Sequence, residues 1–350
     1  MIDIMNVDEH VPSTDLKGYS VLVYGEKKVG KTYNASKFPS PLLLAFEKGY
    51  SALFGVKAVP IDRWTQARNI LKQLSKDEAK EQYDTIVLDT ADIAVEYVKD
   101  YICNKEQVQE IGDIPYGQGY GMYEQEFDKF IREIPKMGYG LVIISHDRDK
   151  TFTDENGQEF NKITTTLDKR SHKVVTRAVD IYGYARLITT PDGEKQRKLF
   201  LRGTERFEAG SRFKNIKPVI DFSHDALAKA VEEAVLSEAN EKNVTAKQEV
   251  QNTRAETEKE YGSFKEEKEV FDKYVSKFMS DGLEKAKKDY TAVELEDPEI
   301  MADIQNNLKS KVVNIVEEEL GKGKKVSEMS ESQVDILYLI NERIKSELLS

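Results

Sequence analysis

Four short apolar runs recur in the first half of the chain: "YSVLVYG" (residues 19–25), "PLLLAFE" (41–47), "YDTIVLDT" (83–90) and "YGLVIISH" (139–146). Each is rich in Val, Ile and Leu at consecutive rather than alternating positions, the pattern of a strand covered on both faces. Between them, "WTQARNILKQLSKDEAKEQ" and "GMYEQEFDKFIREIPKM" repeat their apolar residues at spacings of three and four, which predicts amphipathic helices. Alternation of this kind predicts a parallel sheet with helices on both sides, an α/β core.

After His146 the pattern turns to hairpins. Asn156-Gly157 lies in a polar turn between "KTFTD" and "FNKITTTL", and Pro191-Asp192-Gly193 joins "DIYGYARLITT" to "KQRKLFLRG". The core is therefore expected to end in an antiparallel extension. From Ser223 the chain becomes polar and rich in Ala and Glu, which favours a solvated helix or linker. Apolar faces return with Val270, Tyr274 and Phe278, and with Phe271, Val275 and Met279. Ser330 and Gln333 then form a capping box before the apolar positions that start at Val334. The expected organisation is a core over residues 1–222, a polar helical linker over 223–265 and a helical region over 266–350. No repeat of 20–50 residues is evident.

Charge and composition narrow the function classes. A net charge of −11 excludes a uniformly basic surface, so any nucleic-acid contact must come from a local cluster of cations. The single cysteine, Cys103, excludes an internal disulfide framework and a cysteine-rich metal site, in keeping with a reducing cytosol. With no apolar run of roughly 18 residues and no basic-then-apolar leader, the expectation is a soluble cytoplasmic protein with no membrane partner.

The first apolar run leads into Gly25-Glu26-Lys27-Lys28-Val29-Gly30-Lys31-Thr32-Tyr33, which fits G-x-x-x-x-G-K-[ST] at every fixed position. In such a loop successive backbone N–H groups wrap phosphates, and the glycines allow close approach. Lys31 reaches the outer phosphates, and the Thr32 hydroxyl ligates Mg²⁺. The expected cofactors are ATP and Mg²⁺. Asp89 ends "TIVLD" and would emerge at the carboxyl edge of the sheet beside the loop, where it can hold the metal or cap the helix that follows. Glu47 ends the strand after the phosphate loop, placed to polarise water in line with the γ-phosphate. His146 ends the strand after Asp89, where a polar side chain can touch the γ-phosphate and pass its presence to the next loop. His10, His172 and His224 lack such a setting.

In this order of motifs the chain resembles the RecA-like P-loop ATPase core. More closely, "VLVYGEKKVGKT", "LLLAFEKG", "YDTIVLDT", "YGQGYG", "LVIISH" and "FEAGSRF" resemble phage nucleotide-binding proteins of the AAA-family ATPase type, which accompany phage recombination genes. The resemblance spans residues 17–222. It implies a mostly parallel central sheet with an antiparallel hairpin extension, followed here by a helical C-terminal appendage. Residue by residue, it implies that Gly25, Gly30, Lys31 and Thr32 bind ATP and Mg²⁺, Glu47 activates water, Asp89 holds the metal and His146 senses the γ-phosphate. Arg212, in "EAGSRFKN", occupies the place of a basic residue that reaches into a neighbouring subunit's site, although Gly210 departs from the fuller Lys-x-Arg pattern.

For DNA the resemblance implies two segments. One is "GDIPYGQGYGMY", with Tyr116 and Tyr120; the other is 147–178, with Arg148, Lys150, Lys162, Lys169, Arg170, His172, Lys173 and Arg177. Aromatics suit base stacking and clustered cations suit phosphates. The implied function is an ATP-hydrolysing protein that assembles into a ring or filament of identical copies and binds single-stranded DNA. It would promote annealing or strand exchange, with a replication or recombination partner at the C-terminal helices. A nucleotide-gated assembly module and a small-molecule kinase are the alternatives.

Overall fold

The computed structural model describes residues 10–153, 157–242 and 262–349. These residues form two compact units, one drawn from 10–242 and the other from 262–349.

In the first unit the four expected strands are present as β1 (Ser20–Gly25), β2 (Pro41–Ala45), β4 (Thr85–Asp89) and β5 (Gly140–Thr153). A further strand, β3 (Lys57–Pro60), pairs with β2 at the sheet edge. Its four residues, bounded by Lys and Pro, carry too little periodicity to be read in advance, and both residue types suit an exposed edge. The helices between the strands are α1 (Lys31–Ala35), α2 (Trp64–Leu74), α3 (Asp77–Gln82), α4 (Ala91–Glu106) and α5 (Gln118–Lys136). After β5 come β6 (Glu159–Thr165), α6 (Lys169–Ala178), β7 (Ile181–Thr189), β8 (Lys195–Phe200), β9 (Gly210–Ser211), β10 (Val219–Asp221) and α7 (His224–Lys242).

The sheet runs β10-β8-β7-β1-β5-β4-β2-β3. From β7 to β3 every neighbouring pair is parallel, and β8 and β10 extend it antiparallel. Both faces are covered, as the continuous apolar runs require. Leu22, Ile86, Leu88, Leu141 and Ile143 pack beneath α2, α4, α5 and α6. Val21, Val23, Val87, Val142 and Ile144 face the other way, toward α7. Cys103 is a buried thiol of α4.

The strand order positions the site. Because β5 lies between β1 and β4, the carboxyl ends of β1, β5, β4 and β2 line up along one edge, with Gly25 in register with His146 and Asp89 in register with both Ile144 and Ala45. Gly25 itself admits no side chain, since a Cβ there would lie 1.9 Å from the carbonyl oxygen of Ala185 on β7.

Both expected hairpins form. Pro191-Asp192-Gly193 turns between β7 and β8, closed by Thr190 N–H to Glu194 O at 2.8 Å. β5 continues past His146 and pairs antiparallel with β6, from Asp147 opposite Thr165 to Thr153 opposite Glu159. Asn156, expected in its turn, lies outside the described residues.

The expected boundary after 222 differs from what is seen. α7 buries Leu227, Ala230, Val231, Ala234 and Val235 in the core beneath the sheet, so the stretch expected to open a solvated linker begins with a core helix. Two of its five inward positions are Ala, which pack closely while adding little hydropathy, and this hid the helix among polar neighbours. Residues 243–261 lie outside the described residues.

The second unit is built from α8 (Phe264–Asp289), α9 (Ala292–Leu295), α10 (Pro298–Leu320) and α11 (Val334–Leu348). Phe271, Tyr274, Val275, Phe278 and Met279 of α8 pack with Leu308, Val312 and Ile315 of α10 and Leu337, Ile340 and Ile344 of α11. The Ser330–Gln333 capping box forms, with Gln333 Oε1 accepting from Ser330 N–H at 3.0 Å just before α11. Buried Asn341 ties α11 to α8 by donating to Glu267 Oε2 at 2.8 Å and to the Glu267 carbonyl at 2.9 Å. Among the described residues no helix is long and apolar enough to cross a membrane.

Candidate nucleotide site

The loop after β1 turns back on itself through Lys28, at φ +65°, and Gly30, at φ +103°. Such alternation of backbone handedness points successive N–H groups into one concavity, an anion cradle. Val29 anchors the loop by packing into the core, while Lys27 and Lys28 stay exposed. Glu26 reaches Arg186 at 3.7 Å, and Tyr33 is half exposed with the Lys37 ammonium 5.0 Å above its ring.

Lys31 is buried, and its Nζ donates to the carbonyls of Gly25 at 2.6 Å and Glu26 at 2.9 Å. Burial lowers its pKa, against the pull of four surrounding carboxylates, Asp147, Asp89, Asp92 and Glu47. Around one ammonium these acids make the crevice electronegative. A polyphosphate enters such a site only with a cation to offset the repulsion.

Asp89, 1% exposed, accepts the Thr32 hydroxyl at 2.8 Å. Burial, with the Glu47 charge adding to it, pushes its pKa up to about 6, while the Thr32 hydrogen bond, Lys31 and His146 act the other way. A buried carboxylate held at a cost and touching a Thr hydroxyl is an oxygen pair suited to Mg²⁺, which takes one or two protein oxygens and completes its shell with phosphate and water. Gly49 leaves the pair open, for a Cβ there would stand 2.9 Å from Thr32 Oγ1 and 3.4 Å from Asp89 Oδ2. No cluster of three or more His, Cys, Asp or Glu suited to a metal occurs among the described residues. The donor set therefore fits a metal carried in with phosphates rather than one caged by protein.

The turn after β2 is fastened to the same point, because the N–H groups of Phe46 and Glu47 both donate to Asp89 O, at 2.7 and 3.1 Å. The Glu47 carboxylate is thereby brought to His146, with Oε2 3.1 Å from Nε2. His146 Nδ1 is buried without a hydrogen-bond partner among the described residues. Lys31, Thr32, Glu47, Asp89 and His146 are thus brought together at one crevice.

Arg212 lies elsewhere. Its guanidinium pairs with Asp180 Oδ1 at 2.9 Å and donates to Arg177 O at 3.2 Å, and Asp180 accepts the N–H of Ser20 at 2.8 Å. Ser20 starts β1 and the phosphate loop follows its end, so Arg212 sits roughly 17 Å from its own loop along the strand.

The residues expected to meet DNA surround α6. Arg170 pairs with Glu124 of α5 at 2.7 Å and lies over the Tyr120 ring at 5.9 Å. On the other side of the helix His172 meets Thr165 Oγ1 at 2.9 Å and Glu208 Oε2 at 3.3 Å. Burial lowers its pKa, and Lys150 and Arg148 add to that by proximity. Lys169 and Lys173 point outward between these two sides, with no acidic partner in reach among the described residues. Tyr116 is 98% exposed in a left-handed conformation at φ +57°.

Sequence reasoning passed over Gly49, Asp92, Asp147, Phe152 and Phe160. Asp92 lies within a stretch that reads simply as the start of a helix, and Gly49 follows Glu47 by two residues without any sign that it adjoins Thr32.

A G-x-x-x-x-G-K-[ST] loop after β1, a Thr–Asp oxygen pair and a carboxylate at the adjoining strand end, on a mostly parallel sheet, mark a P-loop nucleotide-binding α/β core. The chain belongs to the AAA domain family, whose model matches residues 17–213. It is 29% identical to the SPbeta prophage-derived uncharacterized protein YorG of Bacillus subtilis (strain 168), an alignment covering 98% of each chain. Among solved structures it is similar to the flagellar accessory protein FlaH from Methanocaldococcus jannaschii, at 13% identity and a TM-score of 0.32, over 61% of this chain and 86% of that one.

Proposed function

We propose that this chain is a phage-encoded ATPase that binds single-stranded DNA under the control of ATP and promotes annealing or strand exchange. Lys31 and the loop N–H groups would hold the phosphates, and Thr32 and Asp89 would hold Mg²⁺, which when bound supplies charge neutralisation. Glu47 takes a proton from water as the water oxygen bonds to the γ-phosphorus. The bond from that phosphorus to the bridging oxygen breaks, leaving ADP and phosphate. His146, bonded to Glu47, sets the direction of that carboxylate.

The observation that carries the DNA part of this reading is the alternation along the β5–β6 hairpin. Arg148, Lys150 and Phe152 share a face with Thr164, Lys162 and Phe160, whereas Asp147, Asp149 and Thr151 share the other with Thr165, Ile163 and Asn161. Phe152 and Phe160 stack at 5.9 Å, and the Lys150 ammonium lies 5.1 Å from the Phe152 ring centroid. Lys150 and Lys162 stand directly opposite each other. Like charges so placed are unfavourable unless an anion lies between them. Cations beside stacked aromatics are the chemistry of a single strand, whose phosphates and bases take one each. Lys169 and Lys173 of α6, with Tyr120 and Tyr116, would add further cations and rings for the same strand.

In this reading Arg212, at the far end of β1 from its own site, acts on a second copy in a ring or filament, and the C-terminal helices engage a replication or recombination protein. The deciding experiment measures ATP hydrolysis with and without single-stranded DNA. Stimulation by DNA supports the proposal; hydrolysis indifferent to DNA, with no binding at moderate salt, replaces it with a nucleotide-gated assembly module.

A further inference from the structure

Asp92 belongs to the first turn of α4, three residues beyond the metal-site aspartate, yet it caps nothing there. Its carboxylate is used up elsewhere. Oδ1 accepts the Ser145 hydroxyl at 2.8 Å and also the Thr166 hydroxyl, while Oδ2 accepts the backbone N–H of His146 at 3.1 Å. All three partners are donors, and they come from two places: the end of the sheet portion of β5, and the point where the chain leaves β6 for α6.

Thr166 is bound a second time at the same spot, its N–H donating to His146 O at 3.0 Å. The hairpin is therefore closed at its root by Asp92, with His146 and Thr166 drawn onto one carboxylate. His146 is also the residue that touches Glu47. From Thr166 it is three residues to Lys169, the first residue of α6, whose N-cap Asp168 holds Lys99 at 2.7 Å and Tyr123 at 2.9 Å. A second, separate tether lies deeper: Tyr24, next to the phosphate loop, donates to Glu208 O at 2.6 Å and Ile163 O at 3.2 Å.

We propose that Asp92 is a positioning residue that transmits the state of the nucleotide site to the β5–β6 hairpin, by holding His146 and Thr166 as one unit. A shift of His146 when Glu47 turns to the γ-phosphate is then carried to Thr166, and through it to both the hairpin and α6. Asp92 touches neither phosphate nor water in this scheme. The inference rests on the site assignment above, and its test does not require DNA.

The test is hydrogen exchange of the full chain with and without a non-hydrolysable ATP analogue and Mg²⁺, read over 147–153 and 159–165. In the wild type the analogue should slow exchange of these amides several-fold. Asp92→Asn supplies one acceptor where three donors converge, and Thr166→Val removes one of those donors at constant shape. Thr166→Val should keep analogue affinity within about threefold, by calorimetry; Asp92→Asn, which removes one negative charge near Lys31, should bind the analogue at least as tightly as the wild type; both should lose the nucleotide-dependent slowing. Thr166→Ser, which restores the hydroxyl, should regain it. Persistence of the slowing in both Asp92→Asn and Thr166→Val overturns the proposal, as does its absence from the wild type while the analogue binds. A merely structural role would raise exchange equally with and without the analogue, and that result overturns it too. Failure of the chain to bind single-stranded DNA would remove the DNA reading and leave these outcomes as they stand.

Discussion

Asp89→Asn should make the nucleotide-free protein more stable while removing its response to Mg²⁺ and ATP. The carboxylate is 1% exposed and its pKa stands at about 6 against an ordinary 3.8, a rise of roughly two units. At about 1.4 kcal/mol per unit, holding the charge at neutral pH costs the fold about 3 kcal/mol as an upper limit. The sign follows from the raised value. Relative stability from this group is fully present below pH 3.8, where Asp89 is neutral in both states, and is lost as pH rises through about 6. Asparagine cannot ionise, and its Oδ1 still accepts the Thr32 hydroxyl. At pH 7.5 the variant should therefore unfold at a higher temperature, by up to roughly 10 °C at about 2–4 °C per kcal/mol for a domain of this size. The difference should shrink to nothing near pH 4. Wild type at pH 7.5 should recover the deficit on adding Mg²⁺ and ATP, and the variant should not. Thermal unfolding of both proteins from pH 4 to 8, with and without Mg²⁺ and ATP, reads all of this. A variant less stable than wild type at pH 7.5 without nucleotide, or a gain that does not fade with acid, would refute the burial argument.

Gly49→Ala places a methyl 2.9 Å from Thr32 Oγ1 and should weaken Mg²⁺-dependent ATP binding at least tenfold with an unchanged circular dichroism spectrum; equal affinity by calorimetry would show that the metal does not sit there. Glu47→Gln should keep ATP affinity and lower turnover by on the order of 10²-fold or more, as for a lost general base, and wild-type turnover would return Glu47 to a structural role. Lys150→Ala with Lys162→Ala should weaken single-strand binding and flatten its salt dependence by a log–log slope of roughly 1.4, about 0.7 for each phosphate contact; an unchanged slope would detach the hairpin from DNA. Arg212→Ala should be inactive alone and regain some hydrolysis when mixed with Lys31→Ala, because one interface then pairs an intact site with an intact arginine; verified mixed oligomers without activity would confine Arg212 to its pairing with Asp180.

The parts of the site that were legible from sequence are those fixed by position along a strand. Lys31, Thr32, Asp89, Glu47 and His146 each stand at or just after the carboxyl end of a run buried on both faces, and parallel packing alone brings such ends to one edge. Asp92 and Asp147 were not legible, because their importance arises from β5 lying between β1 and β4, and Gly49 was not, because the turn after β2 meets Thr32 and Asp89 only in the folded chain. The hairpin was visible in its turns, but its sorting into a cationic and an acidic face needed the register that pairs Lys150 with Lys162. Arg170, read as one of a cluster of cations suited to phosphates, pairs α6 with α5 through Glu124, a partner 46 residues away that no local pattern reveals.

β5 runs without interruption from Gly140 to Thr153, so the strand that carries His146 in the sheet is also the strand that carries Lys150 and Phe152 beyond it. In the proposed coupling it is a lever that pivots where Ile163, opposite Asp149, is held by Tyr24, Arg206 and Glu208. The four residues from Lys150 to Thr153 extend roughly 14 Å beyond that pivot. By plain trigonometry, a tilt of about 5° there would move Thr153 by about 1 Å. Adjustments around a phosphate would then reach the cationic face on the scale of a contact made or broken. The length of the hairpin would set the stroke of that motion independently of its chemistry, and a change of arm length by whole pairs of residues would retune reach while leaving the cationic face pointing the same way.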